Sequence, residues 1–481
     1  MNSRFVATAA KPAHCLADRI HSFGALVVRT WLLILLVASL LPVSGFGQSR
    51  STPPSASGRK PAQETHTTQA ATVAARNRVP ALGSVEGSTV AMPVEFAAPR
   101  MTSPFSMMSP GLDPAMFYGE TYDPWRVWAR AEYLMWWVDG MDTPPLITSS
   151  PAGTARDVAG VLGRPTTTIL YGDDTLVDAM RPGGRFSAGY WFDWSRFHGV
   201  EATFLGLLSR DSNFEAQSPG NPILARPFTN AEPGFQGPDA ELVAFPGVLT
   251  GRVESTATSS LLGVEVLYRG AWWQVCENCF DFLAGWRYLN LDESLRVGDF
   301  KTSIDTSPDT LVPIGTTLDE VDVFSTKNYF HGAEIGLLAH TRRKNWRFEA
   351  LGKLAFGNTR SRATIDGSTT ITVPGEPAST TPAGLLAQET NMGTYQRDVF
   401  SVVPEFGLTA GYYLTPNVHA RIGYTFIYWN RVARPGDQID TNLNLSQLEP
   451  GGLVGPALPA FQWVDTGLWI QGISLGLEGR F

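Results

Sequence analysis

Residues 473–481 read Ile473-Ser474-Leu475-Gly476-Leu477-Glu478-Gly479-Arg480-Phe481. Successive side chains of an extended strand point to opposite faces. Ile473, Leu475, Leu477, Gly479 and Phe481 therefore share one face. Ser474, Gly476, Glu478 and Arg480 share the other. No helical period accommodates this order, so the stretch is read as a strand with one apolar and one polar side.

The same two-sided pattern recurs upstream over 128–137, 185–192, 200–208, 262–269, 280–288, 333–339, 346–356, 400–410 and 419–428. One face of every strand is free of charge and rich in aromatics, as in Tyr133, Trp137, Phe186, Tyr190, Phe282, Trp286, Phe348 and Phe356. The opposite face mixes glycine with single acids and bases. Those charges are Arg130, Glu132, Arg185, Glu201, Glu265, Asp281, Arg287, Glu334, Arg347, Glu349, Lys353, Glu405, Arg421, Glu478 and Arg480, seven bases against eight acids. A soluble sandwich would carry an aliphatic apolar face and turn its polar face to water. An aromatic apolar face opposite sparse charges fits lipid outside and a narrow polar lumen inside.

The connections agree. Short ones at 193–198, 270–278, 341–345 and 415–417 alternate with long ones at 139–182, 209–254, 291–324, 358–397 and 432–467. Short periplasmic turns and long outer loops are the rule for outer-membrane barrels. The expected fold is all-β: a transmembrane antiparallel β-barrel of about ten strands over 124–481, with twelve as the alternative because the apolar run 243–249 could hide more. Pro404 predicts a bulge in the eighth strand. A final strand ending in Phe resembles the terminal strand that the barrel assembly machinery reads, which makes Phe481 the expected assembly signal.

Upstream, 31–41 is the one continuously apolar segment, too short to span a membrane as a helix. Small residues follow it at 45–47, so 1–47 is read as a secretory signal peptide. Residues 48–123 are rich in Pro, Ser, Thr and Ala without an apolar period, and are expected to be a disordered periplasmic segment. A net charge of -8 argues against nucleic acid as a partner. The expected partners are outer-membrane lipid and the assembly machinery, with oligomeric state left open.

The block running from Arg130-Ala-Glu-Tyr-Leu-Met-Trp-Trp-Val-Asp-Gly to Pro151 resembles the opening signature of the bacterial family called Putative beta barrel porin-7. Supporting pieces are Gly183-Gly-Arg-Phe-Ser-Ala-Gly-Tyr-Trp191 and Gly285-Trp-Arg-Tyr-Leu289, and the resemblance covers about 125–481. It implies a porin-like barrel in the bacterial outer membrane and supplies no catalytic or ligand residues.

No metalloprotease, nucleophile-elbow, phosphate-loop or EF-hand pattern is present. The expectation is therefore no enzyme, no cofactor and no metal site. Cys276 and Cys279 lie in a short turn and are read as a disulfide rather than a reactive pair. Asp173, Asp174, Asp437 and Asp440 are read as ordinary solvated loop acids. Gly285 and Thr409, on the polar face, are expected to tolerate small changes. The functional expectation is porin-like passage of small polar solutes through a charged lumen. The alternative is a structural or surface-interaction barrel, its lumen plugged by paired charges, with recognition loops.

Overall fold

The computed structural model describes residues 125–481 except 276–277, 308–309, 311 and 450, and the side chains of 274–275. The leader, the 48–123 segment and Cys276 lie outside the described residues.

Ten strands form one closed ring: β1 Val127–Val138, β2 Arg181–Trp191, β3 His198–Ser218, β4 Leu249–Val275, β5 Asn278–Ser303, β6 Thr317–Arg343, β7 Trp346–Thr372, β8 Gly393–Tyr413, β9 Val418–Val432 and β10 Thr466–Arg480. Each pairs antiparallel with its sequence neighbours, and β1 closes the ring against β10, placing Arg130 opposite Glu478 and Tyr133 opposite Leu475. Phe481 continues this pairing, since its amide donates to the Val127 carbonyl at 2.8 Å. No described helix is long and apolar enough to cross a membrane; the crossing elements are strands.

The alternation holds in register. Tyr133, Phe186, Phe204, Val266, Trp286, Leu337, Phe356, Leu408, Ile422 and Leu475 are exposed on the outer surface. Their neighbours Glu132, Thr203, Glu265, Arg287, Glu334, Lys353, Glu405, Arg421 and Ser474 are buried in the bore. The side chain of Phe481 is exposed with the apolar set.

Three expectations need correction. First, the strands run much further outward than the sequence reading allowed. β5 has 26 residues, whereas a tilted strand needs about 9–11 to cross the hydrocarbon. The outer connections shrink accordingly: 291–324 contracts to 304–316. The reason is an inversion of polarity. Beyond about Tyr288 the outward positions of β5 become Asp292, Ser294 and Arg296, while Leu291, Leu295 and Val297 turn inward and are buried. The upper barrel is thus built like a soluble protein. In β4 the change coincides with a register shift between Ser259 and Leu261 against β3.

Second, the apolar run at 243–249 adds no strand to the ring. Gly237–Ala244 joins Ile223–Asn230, Ile147–Ser150, Thr168–Tyr171 and Asn442–Leu443 in a separate sheet at the outer mouth. Third, Pro404 needs no bulge. The β7–β8 ladder runs unbroken through Leu354 and Pro404, and the β8–β9 ladder begins only at Glu405. The missing amide of Pro404 therefore falls beyond that ladder's end. At Val402 the side-chain oxygen of Asn430 accepts the backbone N–H instead.

Candidate functional site: the occluded bore

All fifteen charges read from the sequence as lumen residues project into the bore. At the periplasmic end, Glu349 is shared by Arg347 (2.6 Å) and Arg421. Glu478 accepts from Arg421 at 3.0 Å and lies 3.6 Å from both His419 and Arg480. On the facing wall Asp281 holds Arg269, which also reaches Glu201 at 3.6 Å. Glu132 pairs with its cross-strand partner Arg185 at 2.5 Å and lies 3.9 Å from Arg130.

Deeper, five consecutive strands contribute one residue each to a single network. Arg287 on β5 contacts Glu265 (2.9 Å), Glu334 (3.3 Å) and Glu405. Lys353 on β7 contacts Glu265 (2.6 Å), Glu405 (3.1 Å) and Glu334 (3.7 Å). Register produces two of these contacts directly, because Glu265 faces Arg287 across the ladder and Lys353 faces Glu405. The three carboxylates lie close enough to hold a metal ion. Two cationic side chains already sit among them, so the cluster is an ion-pair network. Opposite charges this close offset part of one another's desolvation cost.

Above the network the bore turns apolar. Leu134, Trp136, Leu205, Leu289, Phe330 and Trp429 are all buried there. The Phe330 and Trp429 rings meet edge to face at 6.0 Å, and Trp429 Nε1 donates to Thr359 Oγ1 at 2.9 Å. This layer was not legible from the sequence, because its residues occupy positions assigned to a polar face.

A third level lies above the membrane-spanning part. Arg434 grips Glu293 with two nitrogens at 2.8 and 2.9 Å. Nearby, burial raises the Asp437 carboxyl to about 6, with Asp142, Glu293 and Asp139 adding to the rise against the pull of Arg434. Burial raises Asp139 to about 6 as well. Asp437 is therefore not the ordinary solvated acid expected; Asp173 and Asp174 are exposed as expected. Higher still, Arg226 of the mouth sheet reaches the barrel wall at Asp299 (3.0 Å) and Asp322. Lys301 meets Asp299 (3.1 Å), Glu320 (3.4 Å) and Glu241. Burial and the neighbouring Glu241 hold Glu320 well above the usual carboxylate range.

Beneath the network a cavity of about 540 Å³ occupies the periplasmic half of the bore. Arg269, His340 and Arg342, absent from the sequence-derived set, help to line it. Arg269 was findable, since it shares the face of Glu265. Arg226 was not, because it lies on a short strand inside a stretch read as loop. The pairing of Cys279 with Cys276 falls outside the described residues.

A family model described as Putative beta barrel porin-7 matches residues 128–481. No curated protein matches the chain. Among solved structures, the outer membrane protease OmpT of Escherichia coli is 12% identical with a TM-score of 0.31, covering 75% of this chain and 98% of that one. A Pseudomonas aeruginosa FadL homologue is 8% identical with a TM-score of 0.20, covering 74% and 90%. Neither likeness carries an argument about activity.

Proposed function

The chain belongs to the Putative beta barrel porin-7 family, and from that premise we propose that it is a bacterial outer-membrane barrel, not an enzyme, whose bore is shut. On this reading its working surface is the folded extension carried outward on the long strands. The observation that carries the reading is the stack of two seals: Arg287 and Lys353 locked among three glutamates, with the Trp136, Phe330 and Trp429 layer directly above. A ten-stranded ring is close to the size that side chains fill completely.

Reconstitution of the purified protein in planar bilayers tests this. Wild-type protein is expected to show no steady conductance. A stable ohmic conductance would overturn the closed reading in favour of porin-like passage of small polar solutes. That second reading is supported by the family description and by the cavity, which reaches from the periplasmic mouth to the ion-pair network.

A further inference from the structure

The periplasmic cavity has a composition that sealing a barrel does not require. Ten basic side chains line it against six acids. Including Arg287, Glu132 and Glu334, which stand just behind the wall, makes it eleven to eight. The acids are committed: Glu349 and Glu478 to Arg421, Asp281 to Arg269, Glu265 and Glu405 to Lys353. The cationic excess gathers at the mouth. Arg342 and Lys344, at the exposed β6–β7 turn, are not paired with any carboxylate among the described residues. Arg342 donates instead to the Lys344 carbonyl at 3.3 Å, and its guanidinium lies 4.4 Å from the centre of the Tyr413 ring.

The rest of the wall mixes apolar and aromatic side chains, Trp125, Trp128, Trp191, Leu283, Leu351 and Tyr413, with the hydroxyls of Ser187, Thr203, Thr409 and Thr425. The volume lies within the roughly 300–1,000 Å³ of small-molecule sites, and such sites combine apolar walls with a few placed polar groups. A low-dielectric cleft with one sign of excess charge concentrates counter-ions of the other sign.

We infer that this cavity is a binding site, open to the periplasm, for a soluble organic anion that carries carboxylate or phosphate groups on an apolar body. The oxyanion groups meet the basic mouth, and the body lies against the tryptophan and leucine wall. The site is closed toward the outside by the Arg287–Lys353 network, so a ligand enters and leaves by the periplasmic mouth. The direction of entry rests on the proposed closed bore, whereas binding itself is read separately from conductance.

The test is calorimetric titration of the full chain in nanodiscs of zwitterionic lipid, so that no lipid headgroup supplies the anion. The probes are benzene-1,3,5-tricarboxylate, its neutral tricarboxamide and inorganic phosphate. The tricarboxylate is expected to bind one to one with a dissociation constant below a millimolar, weakening as salt rises. The tricarboxamide should show no saturable binding, and phosphate should bind at least tenfold more weakly than the tricarboxylate for lack of an apolar body. The double variant Arg342→Gln/Lys344→Gln, at exposed turn positions, should melt like wild type and bind the tricarboxylate at least fivefold more weakly. Absence of saturable binding overturns the inference. So does equal binding of the tricarboxamide, phosphate binding as tight as the tricarboxylate, or unchanged affinity in a folded double variant.

Discussion

At the residue scale, the Arg287–Lys353 network makes the sharpest statement. Arg287 serves three carboxylates at once. Arg287→Gln leaves the buried Glu265, Glu334 and Glu405 to Lys353 alone, at a cost of about 3–5 kcal/mol. Urea titration of the folded barrel in lipid vesicles should show that loss. A fully stable Arg287→Gln barrel would mean that these charges are hydrated and the network is not a seal. Glycine supplies a second residue-level test. The expectation that Gly285 tolerates a small side chain fails on geometry, because a Cβ there would lie 2.0 Å from the Val266 carbonyl oxygen. At Gly407 the nearest atom, Leu351 Cβ, is an ordinary 3.5 Å away. Gly285→Ala should therefore destabilise by about 1–3 kcal/mol, with Gly407→Ala close to neutral in the same titration. Asp437 gives a pH signature. Its folded-state value of about 6 stands above the ordinary 3.8. The folded chain thus binds this proton more tightly, which favours folding below 3.8, and that contribution is lost as pH rises from 3.8 through 6. Asp437→Asn should raise the melting temperature at pH 8 and leave it unchanged at pH 3.5. The gain is at most about 3 kcal/mol, and screening through its partial exposure reduces it.

Single strands carry two environments along their length. The lower half of β5 shows Phe282 and Trp286 to lipid, and its upper half shows Asp292 and Arg296 to water. A charge should therefore be penalised only in the lower half. Phe282→Arg or Leu337→Arg places a guanidinium in the lipid belt, costing roughly 2–4 kcal/mol near the midplane. Ser294→Arg, on the same outward face but above the belt, should cost less than about 0.5 kcal/mol. Refolding into lipid vesicles followed by urea titration separates them. Equal costs for Phe282→Arg and Ser294→Arg would place the membrane boundary elsewhere on the strand.

On the proposed closed-bore reading, the whole molecule is a barrel sealed at successive depths, and the seals are physically different. Ion pairing dominates the lower seal, apolar packing the middle one, and a mouth sheet anchored through Arg226 the upper one. Independent seals should fail independently. Arg226→Gln leaves Asp299 and Asp322 short of a buried partner, a change expected to loosen the mouth sheet from the wall. Faster amide exchange over 223–244 is the expected readout, with exchange in β5 and β6 near Arg287 unchanged. Planar-bilayer conductance should stay absent, because the Trp136–Trp429 layer remains. Conductance appearing in that variant would mean the mouth sheet is the actual gate.

Ten membrane-crossing strands, their inward and outward faces and their closed antiparallel order were legible in alternation alone. A lipid belt must be charge-free on one side, and a period of two admits only one face assignment. The lumen charges followed from that assignment, Glu265 and Arg287 among them. The pairing of those charges was not legible, since it depends on which inward positions stand level across β4 to β8. Nor was the reversal above Tyr288, where Leu291 and Leu295 turn inward. There the same alternation persists with its polarity exchanged, and only the position of the bilayer along the strands shows where one rule ends and the other begins. Arg226, Glu241 and the mouth sheet lie furthest from the sequence's reach. Their partners Asp299, Asp322 and Lys301 are on strands 60 or more residues away, and closure of the ring brings them together.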